Sequence, residues 1–319
     1  MKALDLDAQH YRRHLLHAEE CAWIEKNCYT DVWIELIHAL GCEPLAMLGF
    51  VVAIDFEGDQ WTFFKPPHGE LAELYGIDVQ ELNCWRPLLE HAIEHLAEGK
   101  LISTEADAWW LPDTSGTDYR TQHTKSTIIL NDIDLAARRL GYFHNAGYFS
   151  LEGEDFARTF GLDAAPDPTF MPLFAEIVRV DRMIRRSPAD LAERSATLLA
   201  RHVARCPVDN PIARFATRFE RDLPLLQDQG LAYYHAWAFA TVRQLGSATE
   251  LAAFHLRWLD VQRFGVAADA YEEISKGAKI FILKAARAVN AKRAFDARLI
   301  FEEWCGHWQR AKELLANAV

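Results

Sequence analysis

No run of apolar residues in the 319-residue chain approaches the roughly 18 needed to cross a bilayer, so a membrane-spanning helix is not expected. The N-terminus, MKALDLDAQHYRRHLLHAEE, is polar and mixed in charge and lacks the apolar centre of a signal peptide. A cytoplasmic protein is the resulting expectation. Cysteine pairs are missing as well. Cys21, Cys28, Cys42, Cys84, Cys206 and Cys305 are scattered, with no C-x-x-C motif. That argues against a disulfide framework and a cysteine-based zinc site, and fits reduced thiols in a reducing compartment. The histidines near His68 and His123 show no metal-ligand spacing, so no metal is expected. There is no dense basic stripe interleaved with aromatics, which argues against nucleic-acid binding.

What is present is an uneven charge and two textures. Of the net charge of −12, residues 1–165 carry about 28 acidic and about 12 basic side chains, and the remainder about 18 and about 22. In the first half, LGFVVAIDF (48–56) and DQWTFFK (59–65) read as strands joined at Glu57-Gly58-Asp59, a hairpin pattern. WRPLLEHAIEHLAEG (85–99) reads as a helix with a glycine stop, and KLISTEADAWWLP (100–112) as a strand reaching a proline. TKSTIILN (124–131) and LGYFHNAGYF (140–149) read as two further strands joined around Asp132 and Asp134. Helix and antiparallel strands together predict an α+β domain over 1–163. AAPDPTFMP (164–172), with three prolines, is the candidate linker. From PLFAEIVRVDRMIRR to the C-terminus every segment carries helical periodicity, which predicts an all-helical domain over 164–319.

The candidate chemistry begins in EKNCYTDVWIELIHALG (25–41). Trp33, Leu36, Ile37 and Leu40 form a helical stripe, Gly41 stops it, and Cys28 stands before it. A thiol at a helix start is favoured as thiolate by the positive end of the helix dipole. The plain alternative is a small buried residue. A cysteine nucleophile needs a base and a group that fixes the base. His123 heads the strand in DYRTQHTKSTIIL, and Asn145 stands in GYFHNAGYF, where an amide carbonyl would accept from the imidazole N–H. Strand alternation points the neighbouring His144 to the opposite face.

The order Cys28, then Asp107-Ala108-Trp109-Trp110 at a strand end, then His123, then Asn145 resembles the papain-like superfamily, in particular its bacterial leader peptidases and butirosin-type acyltransferases. The phrases NCYTDVWIELIHALG, AIDFEGDQWTFFK, ELYGIDVQELNCWRPLLEH and GYFHNAGYFSLEGEDF are similar, nearly end to end, to an uncharacterised bacterial family often encoded beside carrier proteins and the ligases that load amino acids onto them. The resemblance implies a papain-like cysteine transferase or peptidase domain with Cys28, His123 and Asn145 as its catalytic set. It implies an acyltransferase that moves an aminoacyl group from a phosphopantetheine thioester, through a Cys28 thioester, to an amine acceptor. The partner would be a small acidic carrier protein that brings the phosphopantetheine arm, so that no cofactor is bound. The peptidases place a glutamine about six residues before the cysteine, and here that position is Ala22. Asn27 or Gln60 is the candidate substitute oxyanion donor, beside the Cys28 N–H, and Asp107 is the candidate partner of His123. A missing glutamine counts more against a peptidase or amidase than against a transferase, because a thioester is already activated. The third alternative is a carrier-protein binding module without catalysis. Trp61 and Trp109 are candidates to line an acyl or pantetheine slot, with plain core as the alternative, and Tyr119 is a candidate rim residue. The arginines from Arg179 to Arg221 read as a solvated face or a docking surface for an acidic partner.

Overall fold

The computed structural model describes residues 1–162 and 174–319; the proposed linker 164–172 lies outside the described residues. The protein is mixed α/β, with a sheet-containing N-terminal part and a helical C-terminal part. Two compact units divide the chain. Unit 1 comprises Met1–Ala18, Cys28–Pro44 and Pro67–Arg186, and unit 2 comprises Glu19–Asn27, Leu45–Pro66 and Ser187–Val319. The chain therefore passes between them five times. A single boundary at residue 163 does not describe this division, because the strand Ala175–Arg179 belongs to unit 1 and the hairpin around Gly58 to unit 2.

Unit 1 is built on a six-stranded sheet of β3 (Asp78–Glu81), β4 (Leu101–Asp107), β5 (Lys125–Asp134), β6 (Arg139–His144), β7 (Gly147–Glu152) and β8 (Ala175–Arg179). Its spatial order is β3-β8-β4-β5-β6-β7, antiparallel throughout. Here three expectations change. AEIVR, read above as part of a helix, is β8, a central strand of alternating and β-branched residues. LGYFHNAGYF is not one strand but the hairpin β6–β7, turning at Asn145-Ala146. The turn before it also moves, to Leu135–Arg138, since β5 runs through Asp132 to Asp134.

The helix α1 (Cys28–Ala39) lies across one sheet face. Glu176, Ser103, Ile129, Phe143 and Tyr148 stand side by side on that face, one from each of β8, β4, β5, β6 and β7. Tyr29, in the first turn of α1, reaches Glu176 on β8, while Glu35 holds the Tyr11 hydroxyl, whose ring packs on Phe143 and Tyr148. The predicted stripe is buried, with Trp33, Leu36 and Ile37 fully inaccessible and each stabilising by about 1.5–3 kcal/mol, but burial goes all round the helix, since every residue from Tyr29 to Ile37 is buried. The stop is at Gly41, in left-handed conformation at φ 70°.

The same helix carries buried charge. His17, in a 3-10 turn over Leu15–His17, lies between Asp31 (3.1 Å from Nε2) and Glu35, which is bonded to Nδ1. All three side chains are inaccessible. Burial alone would lower the His17 pKa, but the bonds and charges of Asp31 and Glu35 prevail and raise it. Burial likewise opposes ionisation of Glu35, and the His17 bond wins, lowering its pKa. Two more helices in unit 1, α2 (His68–Tyr75) and α3 (Leu88–Ala97), end on Gly76 and just before Gly99, both left-handed. A fourth short one, α4 (Glu154–Thr159), follows β7.

Unit 2 is helical, with α5 (Pro188–Val203), α6 (Pro211–Gln229), α7 (Leu231–Ala240), α8 (Val242–Asn290) and α9 (Arg298–Ala318). Ser187 and Asn210 cap α5 and α6 through their side chains, each followed by proline at the first helical position. Inside α8, Asp260 leaves helical geometry and its carboxylate accepts from the N–H groups of Gln262 and Arg263, capping a second helix that folds back on the first, so that Arg257 reaches Asp269 and Glu272 and Gly246 lies against Ala278. Residues 44–53 (PLAMLGFVVA) form a 3-10 helix, which takes up most of the strand expected over 48–56. Its apolar run is buried in every turn, a case where periodicity does not separate strand from helix. The predicted hairpin survives as two short strands, β1 (Phe56–Glu57) and β2 (Gln60–Trp61), around Gly58. Lys26 is fully buried, 3.5 Å from Glu250 on α8, whose carboxylate also accepts the Ala22 and Trp23 N–H groups. Among the described residues no helix is long and apolar enough to cross a membrane.

Candidate functional site

Asp107 closes β4 and is paired with Lys125 at the start of β5. The strand end is finished by a 3-10 turn over Ala108–Trp110, and one Asp107 oxygen accepts the Trp109 N–H at 3.1 Å. The other oxygen lies 2.6 Å from His123 Nδ1. The Trp109 ring stacks on the imidazole, centroids 4.6 Å apart and planes 12° from parallel. One carboxylate thus holds both the imidazole and the backbone N–H of the residue whose indole lies beneath it. In the neutral imidazole that donates Nδ1–H to Asp107, Nε2 carries the lone pair, and the His123 side chain is 69 % exposed. An oriented imidazole with its basic nitrogen in solvent is equipped to take and return a proton.

Alternation along β4 puts Asp107 on the same face as Ser103, and hence on the face covered by α1. Four residues of strand separate them, about 13 Å at about 3.3 Å per residue. The Glu105–Lys125 ion pair, 2.6 Å, lies on the same face between them. Cys28 opens α1 on this face and is half-buried. Next to it is a cluster that no sequence spacing announces. Tyr29 Oη lies 2.7 Å from His68 Nε2 and 3.2 Å from Glu176 Oε2, and Ser103 Oγ donates to the same Glu176 oxygen at 3.2 Å. Burial, then the Glu176 charge, hold the Tyr29 phenol well above its ordinary pKa. His68 opens α2, a helix that the sequence pattern does not announce before its end; Gly76, just after Leu74-Tyr75, is its one local signal.

The structure brings Asp107, Trp109 and His123 into contact and leaves Cys28 and Asn145 apart from them. Asn145 is not a strand residue: it occupies the β6–β7 turn at φ 42°, a left-handed conformation that asparagine tolerates better than most residues. His123 Nδ1 is bonded to the Asp107 carboxylate, so the orienting place assigned to Asn145 is filled by Asp107. Tyr119 donates to Asp155 on α4 at 2.9 Å. The other three predicted residues belong to unit 2. Asn27 donates to the Phe64 carbonyl at 2.8 Å, Gln60 is exposed on β2, and Trp61 is buried against Phe56 and Phe215 as core. No group of three or more His, Cys, Asp or Glu side chains among the described residues is placed to hold a metal ion.

Comparison with known families places residues 12–180 in the DUF1839 N-terminal domain and residues 188–317 in the DUF1839 C-terminal domain. The chain belongs to the DUF1839 family. The two matches meet between residues 180 and 188, where the structure passes from the sheet-bearing unit into α5. No curated protein matches this DUF1839 chain.

Proposed function

We propose that this DUF1839 protein is a cysteine acyltransferase of papain-like type, similar in chemistry to the butirosin-type enzymes. The observation that carries the reading is the His123–Asp107 pair stacked on Trp109, an oriented base on the sheet face where α1 begins with Cys28. In this scheme substrate binding has to bring Cys28 and His123, which are not in contact in the structure, within reach; the Cys28 thiol then gives its proton to His123 Nε2, and the thiolate attacks the carbonyl of an aminoacyl thioester carried on a phosphopantetheine arm. The bond from the carbonyl to the arm's sulfur breaks, and that sulfur takes the proton from His123. The acceptor amine then attacks the acyl-Cys28 carbonyl and passes a proton to His123, and Cys28 leaves as thiolate. Asp107 holds the imidazole tautomer throughout. The arm enters with its small acidic carrier protein and is substrate.

Two measurements test this. Iodoacetamide should label Cys28 of the native protein faster than a free thiol at neutral pH, and slow labelling overturns the nucleophile assignment. Incubation with a glycyl-loaded phosphopantetheinyl carrier protein should give a glycyl adduct on Cys28 by intact mass. His123→Ala should slow adduct formation about 10²–10⁴-fold. Peptide cleavage without an adduct would mean a peptidase, and carrier binding with an inert Cys28 would mean a binding module.

A further inference from the structure

The opposite face of the same sheet carries a second set of reactive groups. Ser126 is the second residue of β5 and His144 the last of β6. Ile128 is the cross-strand partner of His144, so Ser126, two residues earlier, is its diagonal neighbour on the same face. Ile129 and Phe143, which lie under α1, alternate with them, so this face is turned away from Cys28. Asp113 arrives from the 3-10 turn Pro112–Thr114 that follows β4. Ser126 Oγ is 2.6 Å from His144 Nε2, and His144 Nδ1 is 2.5 Å from Asp113 Oδ2.

The proton positions follow from the network. Asp113 Oδ1 accepts from the Tyr142 hydroxyl, so the carboxylate is the acceptor at both oxygens. His144 therefore donates Nδ1–H to Asp113; in the neutral imidazole Nε2 is then the acceptor, and the Ser126 hydroxyl donates to it. This is the hydrogen-bond order of a nucleophile, its base and the base's orienting acid, assembled from three separate elements. Burial, then the Asp113 charge, push the Tyr142 phenol far above its ordinary pKa, so Tyr142 stays a donor. Asp118 is the further charged group that interacts with His144.

We propose that Ser126, His144 and Asp113 form a serine-type hydrolytic site for short-chain acyl esters and thioesters, independent of Cys28. The Ser126 Oγ attacks the acyl carbonyl while its proton passes to His144 Nε2. The bond to the alcohol or thiol breaks, and the leaving oxygen or sulfur takes that proton. Water then attacks the acyl-Ser126 carbonyl, gives a proton to His144, and releases the acid as Ser126 recovers its proton. Ser126 is 8 % exposed and His144 is inaccessible, which restricts the acyl group to a few carbons.

A fluorophosphonate tests the proposal on the full chain, since it phosphonylates activated hydroxyls and leaves thiols, so the position of the label separates this site from Cys28. One phosphonate should add to the intact mass, map to the peptide holding Ser126, and vanish in Ser126→Ala. In a Cys28→Ala background, hydrolysis of p-nitrophenyl acetate should fall to background when Ser126→Ala is added and by about 10³–10⁴-fold when Asp113→Asn is added, which leaves the shape but misorients the base. Ser126→Ala removes one hydroxyl, and its circular dichroism and thermal midpoint confirm that it is folded. The proposal is overturned if folded wild-type protein takes no label at Ser126, or if Cys28→Ala and Cys28→Ala/Ser126→Ala hydrolyse the ester equally. Either result makes the three residues a hydrogen-bonded brace between the 3-10 turn and the sheet.

Discussion

Replacing His17 by alanine should be among the most damaging single changes in unit 1. The imidazole is inaccessible and sits between two inaccessible carboxylates, Asp31 at 3.1 Å and the directly bonded Glu35. Glu35 also takes the Tyr11 hydroxyl and the His14 N–H, which tie it in place. Without the cation, two carboxylates remain close together and out of water. Removing one partner of a buried pair costs about 3–5 kcal/mol. At about 2–4 °C per kcal/mol for a unit of this size, the unit 1 transition should fall by roughly 6–20 °C. The pH dependence has a definite sign. His17 has a raised pKa, so its stabilisation is complete below its unfolded value of about 6.5 and is lost as pH rises through the folded value. Glu35 has a lowered pKa, so its stabilisation is complete above its unfolded value of about 4.5 and is lost as pH falls through the folded value. The pair should therefore stabilise most between about pH 4.5 and pH 6.5. Calorimetric scans of wild type and His17→Ala across pH 4–9 measure the difference. A variant whose midpoint differs by less than about 2 °C at pH 6 would refute the reasoning.

Three further outcomes are expected. Gly246→Ala would drive a methyl into the Trp23 ring, whose N–H is held by Ser275, and to 2.9 Å from the Ala278 methyl, so it should cost about 1–3 kcal/mol in urea unfolding. Lys26→Met and Glu250→Gln should each destabilise, yet the double variant should be milder than their sum by about 0.5–3 kcal/mol; strict additivity would mean the pair is not coupled. Asn145→Ala should cost about 1–2 kcal/mol because alanine resists the left-handed turn, whereas Asn145→Gly should cost nothing measurable by thermal denaturation.

The long amphipathic signals are readable in the sequence and the short ones are not. The α1 stripe, its Gly41 stop and the α3 helix follow from spacing alone, because three or four buried positions in register leave few alternatives. AEIVR has five residues, too few to separate a strand from the helical periodicity around it, and its pairing partners on β3 and β4 are about 70 to 100 residues away. GYFHNAGYF contains its own turn, marked by asparagine and a nearby glycine between two aromatic runs, but the unbroken aromatic pattern hides it. At the candidate site, Asp107, Trp109 and His123 are visible as residue types, and their mutual contact comes from the 3-10 turn that ends β4. Ser126, Asp113 and the His68–Glu176 cluster have no local signature, since each is assembled from distant elements.

The five passages of the chain between units bear on how the protein can be made. Lys26 and the N–H groups of Ala22 and Trp23 leave the ribosome 224 to 228 residues before Glu250 does. At about 5–20 residues per second that is a wait of roughly 10–45 s. Over that interval Trp23, Phe56 and Trp61 lack the α6 and α8 surfaces that bury them. Cutting the gene near residue 187 makes the delay permanent, leaving segments 19–27 and 45–66 on a fragment without their helices. A nascent chain of this layout is a natural client for a holding chaperone.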